Sequence, residues 1–132
     1  MDFMFLSRWA PQLLSVLRIM TALLFFAHGS AKYFGFPYVE QMANVPPMSP
    51  GGIAGILELV GGALLVVGLF SRLAAFILSG LMAVAYLMAH APQGFFPILN
   101  MGELAIMFCF VFLYIAAAGP GPWSVDASRG KA

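Results

Sequence analysis

Four long runs of apolar residues, separated by short polar or proline-rich stretches, make up most of this 132-residue chain. Each run is close to the roughly 20 residues with which a helix crosses the hydrocarbon layer of a membrane. The runs are apolar continuously rather than at every second residue, so they favour helices over the strands of a membrane barrel. We therefore predict an all-α integral membrane four-helix bundle, a single domain of residues 1–132, with spans at about 13–34, 52–70, 73–91 and 101–118.

The connections between these spans differ in length and composition. Ser71 and Arg72 leave room only for a tight turn, so the second and third spans are expected to form an antiparallel hairpin. The longest connection, residues 35–51, contains four prolines and is expected to be an ordered but irregular loop. A shorter proline-bounded loop, residues 92–97, joins the third span to the fourth.

The basic residues outside the spans predict the orientation of the chain. With four spans both termini share one side of the membrane, and that side carries Arg8, Arg72, Arg129 and Lys131. The loops of the other side carry none. The positive-inside rule therefore places both termini in the cytoplasm, and the chain in the cytoplasmic (inner) membrane of a bacterium.

Composition narrows the class of protein further. Hydrophobic residues make up 62% of the chain and charged residues only 8%, which excludes an ordinary soluble globule and makes the lipid bilayer its surroundings. The formal net charge is +1 and no basic cluster is present, so nucleic-acid binding is not expected. Cys109 is the only cysteine, so an intramolecular disulfide is impossible. We expect its thiol to be buried and without a function of its own.

Ionisable side chains inside membrane spans are costly and are functional candidates by default. At a helical rise of about 1.5 Å per residue, five of them fall in one layer near the outer surface, with an asparagine at its mouth. The candidate catalytic residues are Glu58, Glu103 and His28. The candidate ligand-binding residues are Lys32, His90, Asn100 and Arg18.

On the first two spans, the side chains in this layer are also predicted to face the inside of the bundle. His28 and Lys32 are four residues apart and therefore share one helix face. Glu58 lies on a strip with Gly55 and Gly62, and small residues let membrane helices approach closely. We therefore predict that Glu58 points at another helix rather than at lipid.

Two interpretations of this outer layer remain open. In the first, Lys32 pairs with Glu58 or Glu103 and the charges only hold the helices together. In the second, the layer is a polar pocket that holds a quinone head group, relays protons or binds a small polar ligand. A metal site is disfavoured, because the Lys32 ammonium would repel a cation and no short histidine spacing supports one.

Arg18 lies deeper in the first span, towards its cytoplasmic end. It is close enough to that end for its guanidinium to reach water by snorkelling, which is our expectation. The alternative is that the guanidinium caps backbone carbonyls near the turn at residues 71–72 or near Gly119 and Pro120.

Five short motifs, in order along the chain, resemble the DoxX family of small four-helix bacterial membrane proteins. They are the basic residue and HG/K element of the first span (Arg18, His28, Gly29, Lys32), the ExxGG of the second (Glu58, Gly61, Gly62), the turn at residues 68–75, the Asn-x-Gly-Glu segment 100–103 and the closing segment 119–126. The resemblance covers nearly the whole chain, from about residue 14 to residue 126.

The resemblance implies a small component of a membrane redox system, since the family takes its name from a subunit of a thiosulfate:quinone oxidoreductase. It implies that the pocket residues are Glu58, Lys32, His28 and Glu103. Our hypothesis is that Glu58 and Glu103 accept protons. His28 or His90 would relay them, and Lys32 would donate to a quinone carbonyl.

The resemblance also marks the cytoplasmic face. It implies that Arg72, Ser124 and Asp126 shape this face. We expect Ser124 to cap a short terminal turn and Arg72 to pair with Asp126.

No motif for an electron-carrying cofactor is visible: the chain has no cysteine pair, Rossmann-type glycine fingerprint or haem attachment motif. Electron transfer would need a quinone or a soluble redox partner subunit, so the chain would be a subunit of a quinone-linked oxidoreductase rather than an autonomous enzyme.

The rival hypothesis is a non-catalytic membrane anchor or assembly partner, which binds other proteins through its proline-rich loop and tail. A homodimer through the glycine-rich second span is compatible with both hypotheses.

Overall fold

The computed structural model describes residues 2–132, so Met1, which the predicted domain includes, lies outside the described residues. All regular structure in this range is helical. The main helices are α1 (Ala10–Phe34), α2 (Pro50–Val67), α3 (Ser71–Ala85) and, after the short α4 (Pro97–Asn100), α5 (Glu103–Ala118). A 3₁₀ turn, Met4–Trp9, precedes α1, and a short helix, α6 (Val125–Ser128), lies near the C-terminus.

Three helical segments are long and apolar enough to cross a membrane: Met4–Phe34, Pro50–Val67 and Ser71–Gln93. The fourth apolar helix, α5, has 16 residues and is therefore only about 24 Å long. It begins later than the predicted fourth span, because Met101 has a left-handed backbone (φ 63°) and Gly102 is the N-cap. Many large apolar side chains on the helices are exposed, as expected of surfaces that face lipid.

The ends of the helices have local causes. The Ser49 side chain accepts a hydrogen bond from the Gly52 N–H (3.1 Å) and so caps the start of α2. The first two helices end at Gly35 and Gly68, whose positive φ angles of 63° and 74° suit glycine. Beyond α3 the chain continues as a π-helical turn, Tyr86–His90, so the outer part of the third predicted span is not regular α-helix.

The core joins two closely packed helix pairs. Helix α1 packs mainly against α2, and α3 packs mainly against α5. Phe25 of α1 lies edge-on to Phe108 and Phe112 of α5, with ring centroids 5.3 and 5.0 Å apart. Leu65 and Leu78 bring α2 and α3 into the same buried cluster. This arrangement places α2 beside α1 and leaves α5 on the α3 side of the fold.

The C-terminal tail folds back onto the turn between α2 and α3. The Asp126 carboxylate accepts hydrogen bonds from the backbone N–H groups of Phe70 (3.0 Å) and Ser71 (2.8 Å), and so satisfies donors at the start of α3. The predicted cap on the terminal turn is confirmed, because the Ser124 Oγ accepts from the Ala127 N–H at 3.0 Å.

The expected ion pair between Arg72 and Asp126 is wrong. The carboxylate oxygens of Asp126 are held by backbone N–H groups instead. Arg72 donates to the carbonyls of Ala116 and Ala117, which lie at the end of α5 and lack partners within that helix. Asp126 therefore satisfies backbone donors at the start of α3, and Arg72 satisfies backbone acceptors at the end of α5. The two side chains do not neutralise each other's charge.

Acid is expected to weaken the attachment of the tail through Asp126. Burial by itself raises the pKa of this carboxyl, but the hydrogen bonds from Ser71 and Phe70 and the charge of Arg129 outweigh burial and hold the pKa below its ordinary value. The stabilisation is therefore fully present above the ordinary carboxyl pKa and is lost as the pH falls through the lower folded-state value. Thermal unfolding at acidic pH should show a smaller pH dependence in Asp126→Asn and an unchanged one in the exposed Asp2→Asn. Equal pH dependence in all three proteins would contradict this role.

Candidate functional site

A cavity of about 280 Å³ lies between the main helices, towards the end of the fold opposite both termini. Every main helix contributes to its wall, and so does the proline-rich loop between α1 and α2. The wall is mostly apolar, but it includes His28, Glu58 and His90. The tertiary structure thus brings three of the predicted site residues to one cavity.

Glu58 is held beside α1 by Lys32. The Lys32 Nζ lies 2.9 Å from the Glu58 Oε1, and the two side chains are 13% and 5% exposed. Gly29 and Gly55 allow this approach, because a Cβ on Gly29 would lie 2.7 Å from the Gly55 carbonyl oxygen. The prediction that Glu58 points at another helix is confirmed. Lys32 does not line the cavity itself. It affects the cavity by holding the Glu58 side chain in place.

The second carboxylate oxygen of Glu58 is left without a partner among residues 2–132. Glu58 Oε2 is buried and accepts no hydrogen bond there, although the residue lines the cavity. A buried carboxylate oxygen without a hydrogen bond is destabilising, because it has lost its water and gained nothing in return. Because Glu58 lines the cavity, its carboxylate is the candidate acceptor for a ligand that carries an O–H or N–H group.

The two histidines of the cavity have similar hydrogen bonding. The Nδ1 of His28 lies 3.0 Å from the Leu24 carbonyl oxygen, and the Nδ1 of His90 lies 2.9 Å from the Asn100 carbonyl oxygen. A carbonyl only accepts, so Nδ1 must carry the proton in both rings. The Nε2 atom of each ring is then the one that accepts or donates a proton, and it has no protein partner within the described residues.

Asn100 shapes the outer rim of the cavity rather than facing a ligand. The residue is fully buried, and its Nδ2 donates to the Tyr86 hydroxyl (3.1 Å) and the Gly94 carbonyl (2.8 Å). Its Oδ1 accepts from the Gly102 N–H at 2.9 Å. With its side chain engaged and its carbonyl bound to His90, Asn100 is a positioning residue. Sequence analysis did not predict a role for Tyr86. The one feature that could have indicated this role is the position of its hydroxyl group next to the predicted polar layer.

Glu103 is not brought to the Lys32–Glu58 pair. Its side chain is exposed at the first position of α5, and it does not line the cavity. Helix α1 packs mainly on α2, so Lys32 meets Glu58, whereas Glu103 lies exposed at the start of α5. A carboxylate in the first turn of a helix is favoured by the helix dipole, which accounts for Glu103 without a ligand.

Arg18 is also remote from the cavity, and the expectation that it snorkels is wrong. The side chain is fully buried. Its guanidinium donates to the carbonyls of Leu65 (2.8 Å), Pro120 and Trp123 (2.8 Å). The alternative of carbonyl capping is the one observed, because the chain after α5 turns back over α1 and supplies acceptors at the depth of Arg18. Its prediction as a ligand-binding residue has no support from this geometry.

Three methionines complete the cavity wall, and sequence reasoning missed them. Met42 comes from the loop, Met82 from α3 and Met101 from the bend before α5. Their spacing along the chain gives no pattern, so only the tertiary structure could assemble them. Flexible thioether side chains adapt to ligands of irregular shape.

The arrangement combines an apolar cavity with one carboxylate oxygen and two imidazole nitrogens that can exchange protons. Its volume is at the small end of the range for ligand pockets, roughly 300–1,000 Å³. It therefore suits a compact ring with polar substituents. Within residues 2–132, no three His, Cys, Asp or Glu side chains lie together in a way that could hold a metal ion.

Comparison with known proteins gives the family but no activity. The family model DoxX matches residues 13–91. An uncharacterized protein from Haemophilus influenzae is 44% identical over 125 residues, which cover 92% of this chain and 93% of that protein. No solved structure matches the chain. The chain belongs to the DoxX family, and it is a helical protein with membrane-spanning helices.

Proposed function

We propose that this protein is a small integral membrane component of a redox system, and that its outer cavity binds the head group of a quinone. The observation that carries the proposal is the buried Glu58 Oε2, which has no hydrogen-bond partner among residues 2–132. Glu58 lines an apolar cavity together with His28 and His90. A quinol ring is compact and apolar, and its two hydroxyl groups would be donors for such acceptors.

The residues of the chain would hold and move protons. Glu58 Oε2 would accept a hydrogen bond from one quinol hydroxyl, and the Nε2 of a histidine would accept one from the other. When the bound quinol loses two electrons to a partner subunit, Glu58 and the histidine would take up the two protons. Lys32 would act as a positioning residue, because it binds Glu58 Oε1 and leaves Oε2 as the carboxylate oxygen without a partner among residues 2–132.

Quinol binding to the protein in lipid nanodiscs tests this proposal. We expect Glu58→Gln to weaken binding of durohydroquinone, kept reduced under nitrogen, by about tenfold or more, because a hydrogen bond to a charged acceptor is worth about 1.5–3 kcal/mol. Glu103→Gln is the matched control. It removes the same charge from an exposed position outside the cavity wall and should bind like the wild type. Native mass spectrometry would measure the bound fraction.

A second variant tests the cavity independently, in case Glu58→Gln fails to fold. Ala85→Phe adds a ring to the cavity wall while it leaves the Lys32–Glu58 pair intact, and it should also abolish binding. Equal binding by the wild type and both cavity variants would place the site elsewhere. A wild-type protein that binds no quinol or quinone would contradict the redox proposal.

We propose a four-span bundle with both termini in the cytoplasm of a bacterium and with the chain in its inner membrane. The start of α1, the turn between α2 and α3 and the C-terminal tail lie at one end of the fold, since the Trp123 N–H donates to Ser15 Oγ and Asp126 binds the turn. In a Cys109→Ala background, an impermeant maleimide should label Phe95→Cys in intact spheroplasts. Ser128→Cys should react only after lysis, and the opposite pattern would reverse the orientation.

The alternative function is a non-catalytic membrane anchor or assembly partner. It is favoured by the exposed apolar side chains of the outer loops, Phe36, Met48 and Phe95, which could contact another membrane protein. This hypothesis expects changes in these loops to abolish assembly of a redox or stress-response complex. It expects Glu58→Gln to be tolerated.

A further inference from the structure

A second apolar cavity adjoins the one that contains Glu58. It has a volume of about 240 Å³ and lies between α3 and α5. The two cavities share Met82 and Ala105 as wall residues, so they lie next to each other at this point of the fold. A ligand that extended from the first cavity into the second would pass between α3 and α5, beside the Met82 and Ala105 side chains.

The second cavity leads away from the polar outer rim. Ile106 and Phe110 lie three and seven residues into α5, which is about 5 to 10 Å along the helix. Leu87 and Phe110 are 65% and 63% exposed, so the cavity opens to the surface that faces lipid. It is a lateral groove within the apolar part of the fold, and we call it the α3–α5 groove.

Cys109 forms part of the wall of this groove. The thiol was expected to be buried, but the residue is only half-buried. Ser79 donates from its Oγ to the Cys109 carbonyl at 2.8 Å, which places α3 and α5 in close contact just beside the groove. As the single cysteine of the chain, Cys109 reports on what occupies the groove.

We infer that the α3–α5 groove holds the prenyl tail of the ligand, so that the ligand class is a membrane-dissolved, prenylated quinone rather than a small tail-less aromatic. The inference rests on the proposed function, since the head group must occupy the cavity of Glu58. A tail needs an apolar path, and the wall of the groove is apolar apart from the Tyr86 hydroxyl and the Cys109 thiol.

The other space beside the head-group cavity is a poorer path. It shares His28 and Met42 with that cavity and is lined by Pro37 and Val39 of the loop between α1 and α2. A tail that followed it would pass beneath the outer loop towards the surface. An isoprenoid chain favours hydrocarbon over water, so the path between α3 and α5 is the one that keeps the tail in lipid.

Protection of Cys109 from alkylation tests the inference on the full-length protein in nanodiscs. Ubiquinol with two isoprene units, at a free concentration about ten times its Kd, should slow alkylation by N-ethylmaleimide about tenfold, because only the unoccupied protein reacts. Durohydroquinone, which lacks a tail, should bind the head-group cavity at the same saturation and leave the alkylation rate unchanged.

A matched pair of variants separates the groove from other lipid-facing surface. Ala83→Phe fills the α3–α5 groove, and Ala63→Phe fills a separate apolar groove on α2. Both positions are exposed, so neither change should disturb the core. Ala83→Phe should bind durohydroquinone normally and lose binding of the prenylated quinol. Ala63→Phe should bind both ligands like the wild type.

The outcomes distinguish failure of the inference from failure of the proposed function. If durohydroquinone binds while the prenylated quinol leaves Cys109 alkylation unchanged, a phospholipid chain or nothing occupies the groove and the inference is overturned. Undiminished binding of the prenylated quinol by Ala83→Phe would overturn it as well. If neither quinol binds to the wild type, the proposed function fails together with the inference.

Discussion

Replacement of Arg18 by methionine is expected to lower the free energy of unfolding by about 3 kcal/mol or more, because each buried polar group that loses its partner costs about 1–3 kcal/mol. The guanidinium binds the carbonyls of Leu65, Pro120 and Trp123, and methionine can replace none of these bonds. The loss should also free the segment after α5 from α1. Thermal unfolding in detergent, followed by circular dichroism, would measure the change.

Two further variants distinguish the effect of losing the buried hydrogen bonds of Arg18 from the effect of losing a positive charge. Arg8→Met removes an exposed arginine that stacks on Trp9, and it should change stability by no more than about 0.5 kcal/mol. Arg18→Lys keeps the charge but lacks the planar fork of donors, so it should recover only part of the loss. If Arg18→Met were as stable as the wild type, the guanidinium would instead reach water, as the sequence alone had suggested.

The second large effect is expected from the Lys32–Glu58 pair. Lys32→Met or Glu58→Gln alone leaves the other group unpaired in a buried place, and breaking a buried pair in this way costs about 3–5 kcal/mol. The double variant removes both charges and should recover about 1–3 kcal/mol relative to the sum of the single changes. Quinol binding should stay lost in the double variant, because the carboxylate is still absent.

A control cycle with Glu103 tests the pairing that the sequence left open. Lys32→Met and Glu103→Gln should be additive to within about 0.5 kcal/mol, because Glu103 is exposed at the start of α5 and Lys32 pairs with Glu58 instead. Coupling between Lys32 and Glu103 similar to that of Lys32 and Glu58 would mean that the helix order is wrong. Both cycles can use chemical unfolding in the same detergent.

Helical content and the approximate helix positions followed from local features of the sequence. Continuous apolar runs predict helices, and Gly35 and Gly68 end two of them because glycine adopts a positive φ at little cost. The similar level of His28, Glu58 and His90 along their helices followed from the helical rise. The four-residue spacing of His28 and Lys32, and the glycines beside Glu58, indicated which faces turn inwards. These are properties of single helices, so the sequence sufficed.

The partners of the polar residues depend on contacts between distant parts of the chain, and only the tertiary structure decided them. Glu58 and Glu103 were predicted to share one layer, yet one is buried and the other exposed, because α1 packs on α2 and α5 packs on α3. Arg18 found its acceptors on a tail about a hundred residues away. Met42, Met82 and Met101 meet at one cavity without any shared pattern in the sequence. Periodicity records the direction of a side chain on its own helix, whereas the neighbour it meets is set by how the helices pack.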